Sequence, residues 1–191
     1  VGASLRIAVR NKVSIASPLP ARQRGLIEKI PGVVAVTPLT FFGGKYRDEQ
    51  VTMFAQFAVD PLAFTNVFVD AKAPPEHLRA WIEDRTSCLV GKDTMERYQL
   101  RLGGRLLLTG TAWPCDLELK NVGVYQGTLD DRSVFFHHKH LDEALGGNSV
   151  VGAWWLRARS AEDAPEVISQ INRTFANTAA DILGRYGDLM G

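Results

Sequence analysis

The residues best able to do chemistry sit in one short run, His137-His138-Lys139-His140. On a strand, His138 and His140 would share a face and could offer two imidazoles to one ion. Two ligands fall short of what a metal site demands. Only Asp142 and Glu143 lie close in sequence, and Lys139 adds a cationic neighbour. A solvated strand end accounts for the run without chemistry, so His138 and His140 stand as the lesser, metal-binding alternative.

Other reactive types are isolated. Ser87 adjoins Cys88 but has no base nearby to activate it. Asp48-Glu49 and Asp130-Asp131-Arg132 read as turn residues, because acidic pairs without a placed acid–base partner have no catalytic meaning. Gly103-Gly104 and Gly146-Gly147 are not phosphate loops: no G-x-G-x-x-G or G-x-x-x-x-G-K-[ST] occurs, and no G-x-S-x-G. Cys88 and Cys115 are too few for a disulfide scaffold and form no Cys-x-x-Cys pair. Two buried free thiols are expected, with a single Cys88–Cys115 bond as the alternative. The expectation is therefore no catalytic, cofactor-binding or metal-ligating residue, and no cofactor.

The whole chain is as neutral as its motifs. Its 191 residues carry 22 Lys+Arg against 21 Asp+Glu, a net charge of +1. That balance argues against nucleic acid as a partner, which needs a surplus of cations on one face. Hydrophobic residues at 46% and charged residues at 23% suit a folded chain rather than a disordered one. The longest uncharged run, Ile30 to Gly44, is interrupted by Pro31, Gly32, Pro38, Gly43 and Gly44, so it cannot be a membrane helix. Val1-Gly2-Ala3-Ser4-Leu5-Arg6 leads straight into a strand-like alternation without an initiator Met or a signal peptide. These ends read as those of an excised fragment or a processed form.

Periodicity supplies the elements. Leu5, Ile7, Val9, Val13 and Ile15 alternate as a half-buried strand. A short helix follows from about Ala21 to Ile30 and stops at Pro31-Gly32. Strands are expected over Val33–Phe41 and Val51–Val59, paired as a hairpin, and Asp60-Pro61 closes this β-α-β-β unit. Helices are expected from Pro75 to Ile82, from Lys92 to Leu100 and from His140 to Leu145. Strands are expected over Arg105–Thr109, Asp116–Gln126, Ser133–Phe136 and Val150–Arg159, with a last amphipathic helix from Ala161 to about Ala180. Adjacent Trp154 and Trp155 must point to opposite faces of their strand. One of them thus either packs against a second layer or forms an exposed patch. The class is α+β.

Five segments in order, Ile27 to Pro38, Phe57 to Pro61, Leu89 to Lys92 with Tyr98 to Gly103, Val122 to Tyr125 and Ile171 to Asn177, resemble elements of the extracytoplasmic core domain of ABC transporter permeases of the macrolide-exporter and lipoprotein-releasing type, the MacB-like periplasmic domain. Ile27-Glu28-Lys29-Ile30-Pro31-Gly32-Val33-Val34-Ala35-Val36-Thr37-Pro38 is similar to that family's "I-x-x-I-P-G-V-x-x-V-x-P". Phe57-Ala58-Val59-Asp60-Pro61 resembles its "V-D-P" strand end. Leu89-Val90-Gly91-Lys92, followed by Tyr98-Gln99-Leu100-Arg101-Leu102-Gly103, resembles its "L-V-G" helix and turn. Val122-Gly123-Val124-Tyr125 is similar to "V-V-G-I-Y", and Ile171-Asn172-Arg173-Thr174-Phe175-Ala176-Asn177 resembles the final "I-D-x-x-F-A-N-S". Each motif is weak alone; the five in order, from about Leu5 to Asn177, are more specific. Gly104 stands where the family has Asp, Cys88 where Gly is common, and His137 to His140 replace a more apolar stretch.

The resemblance implies a two-subdomain module with a β-α-β-β opening and a β-α closing. Residues 1–61 and 146–191 would form a discontinuous membrane-proximal α+β subdomain, and 62–145 an inserted mixed one. It implies a non-catalytic extracytoplasmic part of a permease in a bacterial inner membrane, on the periplasmic side. Its partners would be the transmembrane part of the same permease, indirectly a cytoplasmic ABC ATPase, and an adaptor or envelope protein. An envelope scaffold that activates a cell-wall partner is the alternative. Hinges would lie near Asp60-Pro61 and Gly146-Gly147, and Leu5 and Asn177 would lie on one side of the fold. The isolated domain is expected to be monomeric or weakly associating.

Overall fold

A computed structural model describes residues 5–14, 16–147 and 150–182. The chain opens with β1 (Arg6–Asn11), β2 (Leu19–Pro20), α1 (Gln23–Glu28) and β3 (Val33–Phe41). The middle holds β4 (Lys45–Tyr46), β5 (Gln56–Val59), α2 (Pro61–Val67), α3 (Pro75–Glu83), β6 (Ser87–Gly91), α4 (Lys92–Arg97), β7 (Arg105–Thr109), β8 (Leu117–Tyr125), β9 (Val134–His137) and α5 (His138–Ala144). It closes with β10 (Val150–Val151), β11 (Ala153–Ala158), α6 (Ala164–Thr174) and β12 (Thr178–Ile182). The fold is α+β. The chain divides into two compact units, Val1–Leu39 with Ala63–Val69 and Ser149–Gly191, and Thr40–Leu62 with Asp70–Asn148. The borders thus fall after Leu39, Leu62, Val69 and Asn148, where the sequence expectation set them after residues 61 and 145.

In the first unit the sheet order is β12-β1-β11-β3, with every neighbouring pair antiparallel. With its two helices this is the split β-α-β-β-α-β arrangement, β1-α1-β3 first and β11-α6-β12 last. Ile7, Val9, Val36, Trp154 and Leu156 face a core completed by Ile27 of α1 and by Val167 and Ile171 of α6. Ser160 and Asp163 set up the start of α6: Asp163 N–H donates to Ser160 Oγ, whose hydroxyl donates back to the carboxylate. The closing element is therefore β-α-β, not β-α. α6 stops at Thr174 rather than near Ala180, because Thr178–Ile182 pairs with β1.

The opposite face of this sheet carries Trp155. It is covered by the segment that begins at α2: the Phe68 ring stacks on Trp155 at 5.2 Å and the Arg6 guanidinium lies 5.1 Å over Phe68. Of the two readings open for the tryptophan pair, the second layer is the one observed. α2 itself was not expected from sequence. Pro61 suits a first helical turn, and the Asp60 carboxylate accepts the Leu62 N–H at 3.0 Å.

In the second unit the order is β5-β9-β6-β8-β7-β4. Its outer strands are joined by one stretch of chain. Phe42 N–H donates to Gln56 O at 2.9 Å on the β5 side, while Lys45 and Tyr46 pair with Thr109 and Leu108 of β7. Gly43 and Gly44 make this crossing possible. Gly43 has φ +64°, and a Cβ on Gly44 would sit 2.6 Å from the Phe42 ring and 3.1 Å from Thr109 O. Buried Gln56 staples the bend, its Oε1 accepting the Gly44 N–H at 2.7 Å and its amide donating to Phe54 O at 3.0 Å. Phe42, Cys88, Val90, Leu106, Leu119 and Phe136 are among the residues of the core enclosed.

Several expected boundaries moved. β5 begins at Gln56, not Val51: Val51 is 72% exposed, and Thr52 Oγ1 instead accepts the Tyr46 N–H. β1 ends at Asn11, with Val13 exposed, and Ile15 lies outside the described residues. α5 starts at His138 instead of His140, and α1 and α4 are each shorter than expected. Gly152 separates β10 from β11 within the stretch expected as one strand.

Candidate functional site

The most informative site of the first unit is the rim where β1 begins. β12 lies antiparallel to β1 with Ile7 opposite Ile182 and Asn11 opposite Thr178. The backbone therefore enters β1 and leaves β12 at the same end of the strand pair. Leu5 and Asn177, expected to share a side, do not. Asn177 O accepts the Lys12 N–H at 2.8 Å, at the far end of β1, roughly 20 Å from Leu5 at ~3.3 Å per residue. The return is made by the five residues of β12, which the expected long helix had hidden. The outward side of β12 is partly closed: Thr178 N–H bonds Phe175 O at 3.2 Å, and Ala180 N–H bonds Asn172 Oδ1 at 2.9 Å.

The histidine run lies in the second unit, at the junction of β9 and α5. His137, at the end of β9, is buried with Nε2 on Trp81 O and its ring edge-on to Trp81 at 6.0 Å. Burial is the main influence on its pKa and lowers it, against the hydrogen bond and the Asp84 charge. His138 Nε2 lies 3.1 Å from Thr40 Oγ1. His140 is half-buried; desolvation lowers its pKa as well, with Glu143 opposing and Arg85 reinforcing the shift. Because α5 begins at His138, the side chains of His138 and His140 are two apart on a helix and point away from each other. The shared strand face that motivated the metal alternative is not formed. Among the described residues, no three His, Cys, Asp or Glu side chains stand together as a metal site.

The remaining reactive groups are tied into structure. Ser87 donates its hydroxyl to Asp84 O at 2.6 Å, at the end of α3. Cys88 and Cys115 are free thiols; Cys88 is fully buried in β6 and burial pushes its pKa far up, while burial and then the Asp116 charge raise that of Cys115. The Asp131 carboxylate accepts the Gly127 N–H, the Thr128 N–H and the Thr128 hydroxyl at 2.7–2.9 Å. Burial alone would raise its pKa, yet these bonds outweigh it and hold the carboxyl below its usual range. Asp130 is paired with Arg132. These groups hold turns together, as the turn reading of Asp130-Asp131-Arg132 anticipated. Among the described residues, no helix is long and apolar enough to cross a membrane.

With this geometry in hand, the fold can be matched. The periplasmic region of MacB from Actinobacillus actinomycetemcomitans has a TM-score of 0.69 to this chain at 10% identity, over 98% of this chain and 93% of that one. The extracellular domain of the noncanonic ABC-type transporter YknZ from Gram-positive bacteria gives 0.65 at 11% identity, over 92% and 99%. A domain of a putative permease from Porphyromonas gingivalis gives 0.57 at 16% identity, over 94% and 90%. No family model and no curated protein matches the sequence. The chain has the MacB-like periplasmic-domain fold, as the ordered motifs implied.

Proposed function

We propose that this chain is the extracytoplasmic domain of an ABC transporter permease, and that it couples rearrangement of transmembrane helices to the handling of a substrate or partner. One observation carries the reading beyond the shared fold. The register of β1 with β12 brings Ile7 and Ile182 together, so two membrane helices could attach at one rim of the first unit. The first unit, which holds most of residues 1–61 and 146–191, would be the membrane-proximal subdomain, and the second the inserted one, with hinges near Asp60-Pro61 and Gly146-Gly147. The domain acts without catalysis of its own. Support for that comes from Ser87, His137, Cys88 and Asp131, each held in a structural contact or in the core. Its partners are the membrane part of the same permease and, through it, a cytoplasmic ATPase, with an adaptor or envelope protein outside.

The test is topological. Leu129 is fully exposed at the tip of the Gly127–Asp131 turn. In the intact membrane protein, Leu129→Cys in a Cys115→Ser background should react with a membrane-impermeant maleimide in unbroken spheroplasts. Labelling that requires permeabilisation would place the domain in the cytoplasm and overturn the proposal.

A further inference from the structure

Tyr46, Phe54 and Tyr98 form a cluster in the second unit whose rings meet edge to face, with centroids 5.3–5.5 Å apart. All three are buried, at 5%, 5% and 8% exposure. One cation fills the corner between two of their faces. The Arg47 guanidinium lies 4.9 Å from the Tyr46 centroid and 5.9 Å from that of Tyr98. Two roughly perpendicular ring faces converging on one positive charge is the arrangement by which proteins hold organic cations. An anion completes it: Glu49 Oε2 accepts the Tyr98 hydroxyl at 2.8 Å.

Two further features set Arg47 apart from a chance surface stack. Its φ is +57°, in the left-handed region that a long side chain rarely adopts. The turn is also tied from its far side, where Thr52 Oγ1 accepts the Tyr46 N–H at 3.1 Å. Arg47 itself is exposed, so its guanidinium can leave the corner for water without unmaking the core.

From these placements we infer that Tyr46 and Tyr98 form a binding site for an organic cation, a guanidinium or alkylammonium group, which the chain's own Arg47 occupies as a tethered and displaceable plug. This does not depend on the transport reading. A free ligand must compete with a group held in place by the backbone, so removing Arg47 strengthens binding.

Arg47→Gly is the decisive variant, because glycine accepts the left-handed φ and the turn is kept. Tetramethylammonium chloride, matched against sodium chloride at equal ionic strength, is titrated into the 191-residue chain while ring and amide NMR shifts are followed. Arg47→Gly should show saturable shifts confined to Tyr46, Phe54 and Tyr98, with affinity about tenfold above that of the wild type. Arg47→Lys should bind as weakly as the wild type, and Tyr98→Leu in the glycine background should abolish the shifts. A folded Arg47→Gly variant with no saturable shift, or one that binds no better than the wild type, overturns the site and leaves Arg47 a structural stack. If the glycine variant does not fold, Arg47→Gln is judged by the same criteria.

Discussion

Replacing Gly91 with alanine adds one methyl group where the backbone leaves no room for it. Gly91 ends β6 at φ −65° and ψ 144°, which alanine adopts freely, so backbone strain contributes nothing. The obstacle is the 127–133 turn. The new Cβ would lie 2.1 Å from Asp131 O, 2.5 Å from Asp131 C and 2.9 Å from Arg132 N. Ordinary contact begins near 3.4 Å, so main chain must retreat by more than an ångström. That movement breaks the bonds that dock the turn: Gly91 N–H to Ser133 O at 2.9 Å, Asp93 N–H to Asp131 O at 3.0 Å and the Thr94 hydroxyl to Arg132 O at 2.5 Å. At about 1 kcal/mol for each of the three bonds and about 1–3 kcal/mol for overpacking, we predict a loss of about 4–6 kcal/mol. Gly25 is the control. It lies in α1 with nothing within 4 Å of a built Cβ, so Gly25→Ala should stabilise by about 0.5–1 kcal/mol. Urea unfolding followed by tryptophan fluorescence measures both, and Trp81 reports on the affected unit. A Gly91→Ala midpoint within about 1 kcal/mol of wild type would show that the turn yields cheaply and would refute the steric reasoning.

Four more outcomes are expected. Cys88 should react with a thiol reagent at least about a hundredfold more slowly than Cys115 in the native chain, since the reactive thiolate forms only on exposure; equal rates, or a disulfide in the purified domain, would contradict the free, buried assignment. Folding lowers the pKa values of His137 and His140, so below about pH 6.5 the unfolded chain binds more protons than the folded one. Stability is therefore full above that pH and falls from about pH 6.5 towards 5, and a urea midpoint that holds or rises over this window would exclude the effect; His137→Gln should flatten the dependence. Asn172→Ala should cost about 1 kcal/mol by stranding the Ala180 N–H. Sedimentation should find the unmodified chain monomeric or weakly associating, and a stable dimer burying more than about 2,000 Å² would contradict it.

The legibility of this fold followed the reach of each signal. β7 matched its expected bounds, Arg105 to Thr109, between two turns; Leu106 and Leu108 pack inward while Arg105, Leu107 and Thr109 are exposed. The same alternation misled from Val51 to Ala55. Periodicity reports which side chains could share a face but not whether a partner strand exists; among the described residues no strand ladder runs from Val51 to Phe54, and Phe54 turns into an aromatic cluster. α6 was overextended for a related reason. Ala176 to Ala180 suits a helix locally, and only the open edge of β1, about 170 residues away in the chain, selects a strand there. The histidines looked like a strand pair because the helix start at His138 has no side-chain cap to announce it. The aromatic corner around Arg47 was invisible: Tyr46 and Arg47 are adjacent, but Tyr98 is brought to them by tertiary packing.

What the late strand does to the rim bears on how such a domain could carry motion. β12 and β1 meet antiparallel with Ile7 beside Ile182, so forces entering at the start of β1 and at the end of β12 act at the same end of one ladder. Forces in the same direction on both ends leave the ladder unsheared and move the first unit as a body, with α1 and α6 carried on the shared core of Ile27, Val167 and Ile171. Opposed forces act at the Ile7–Ile182 pair first and open the ladder one bond at a time, which is the weak direction of a strand pair. Helices joined at this rim would thus transmit concerted displacement well and separation poorly. A disulfide across the rim, formed from Ala8→Cys and Asp181→Cys, which face each other in the register, discriminates the two cases. On the proposed function, a concerted motion would leave transport by the locked permease intact, whereas a motion that requires β12 to peel from β1 would be stopped by oxidation and restored by reduction.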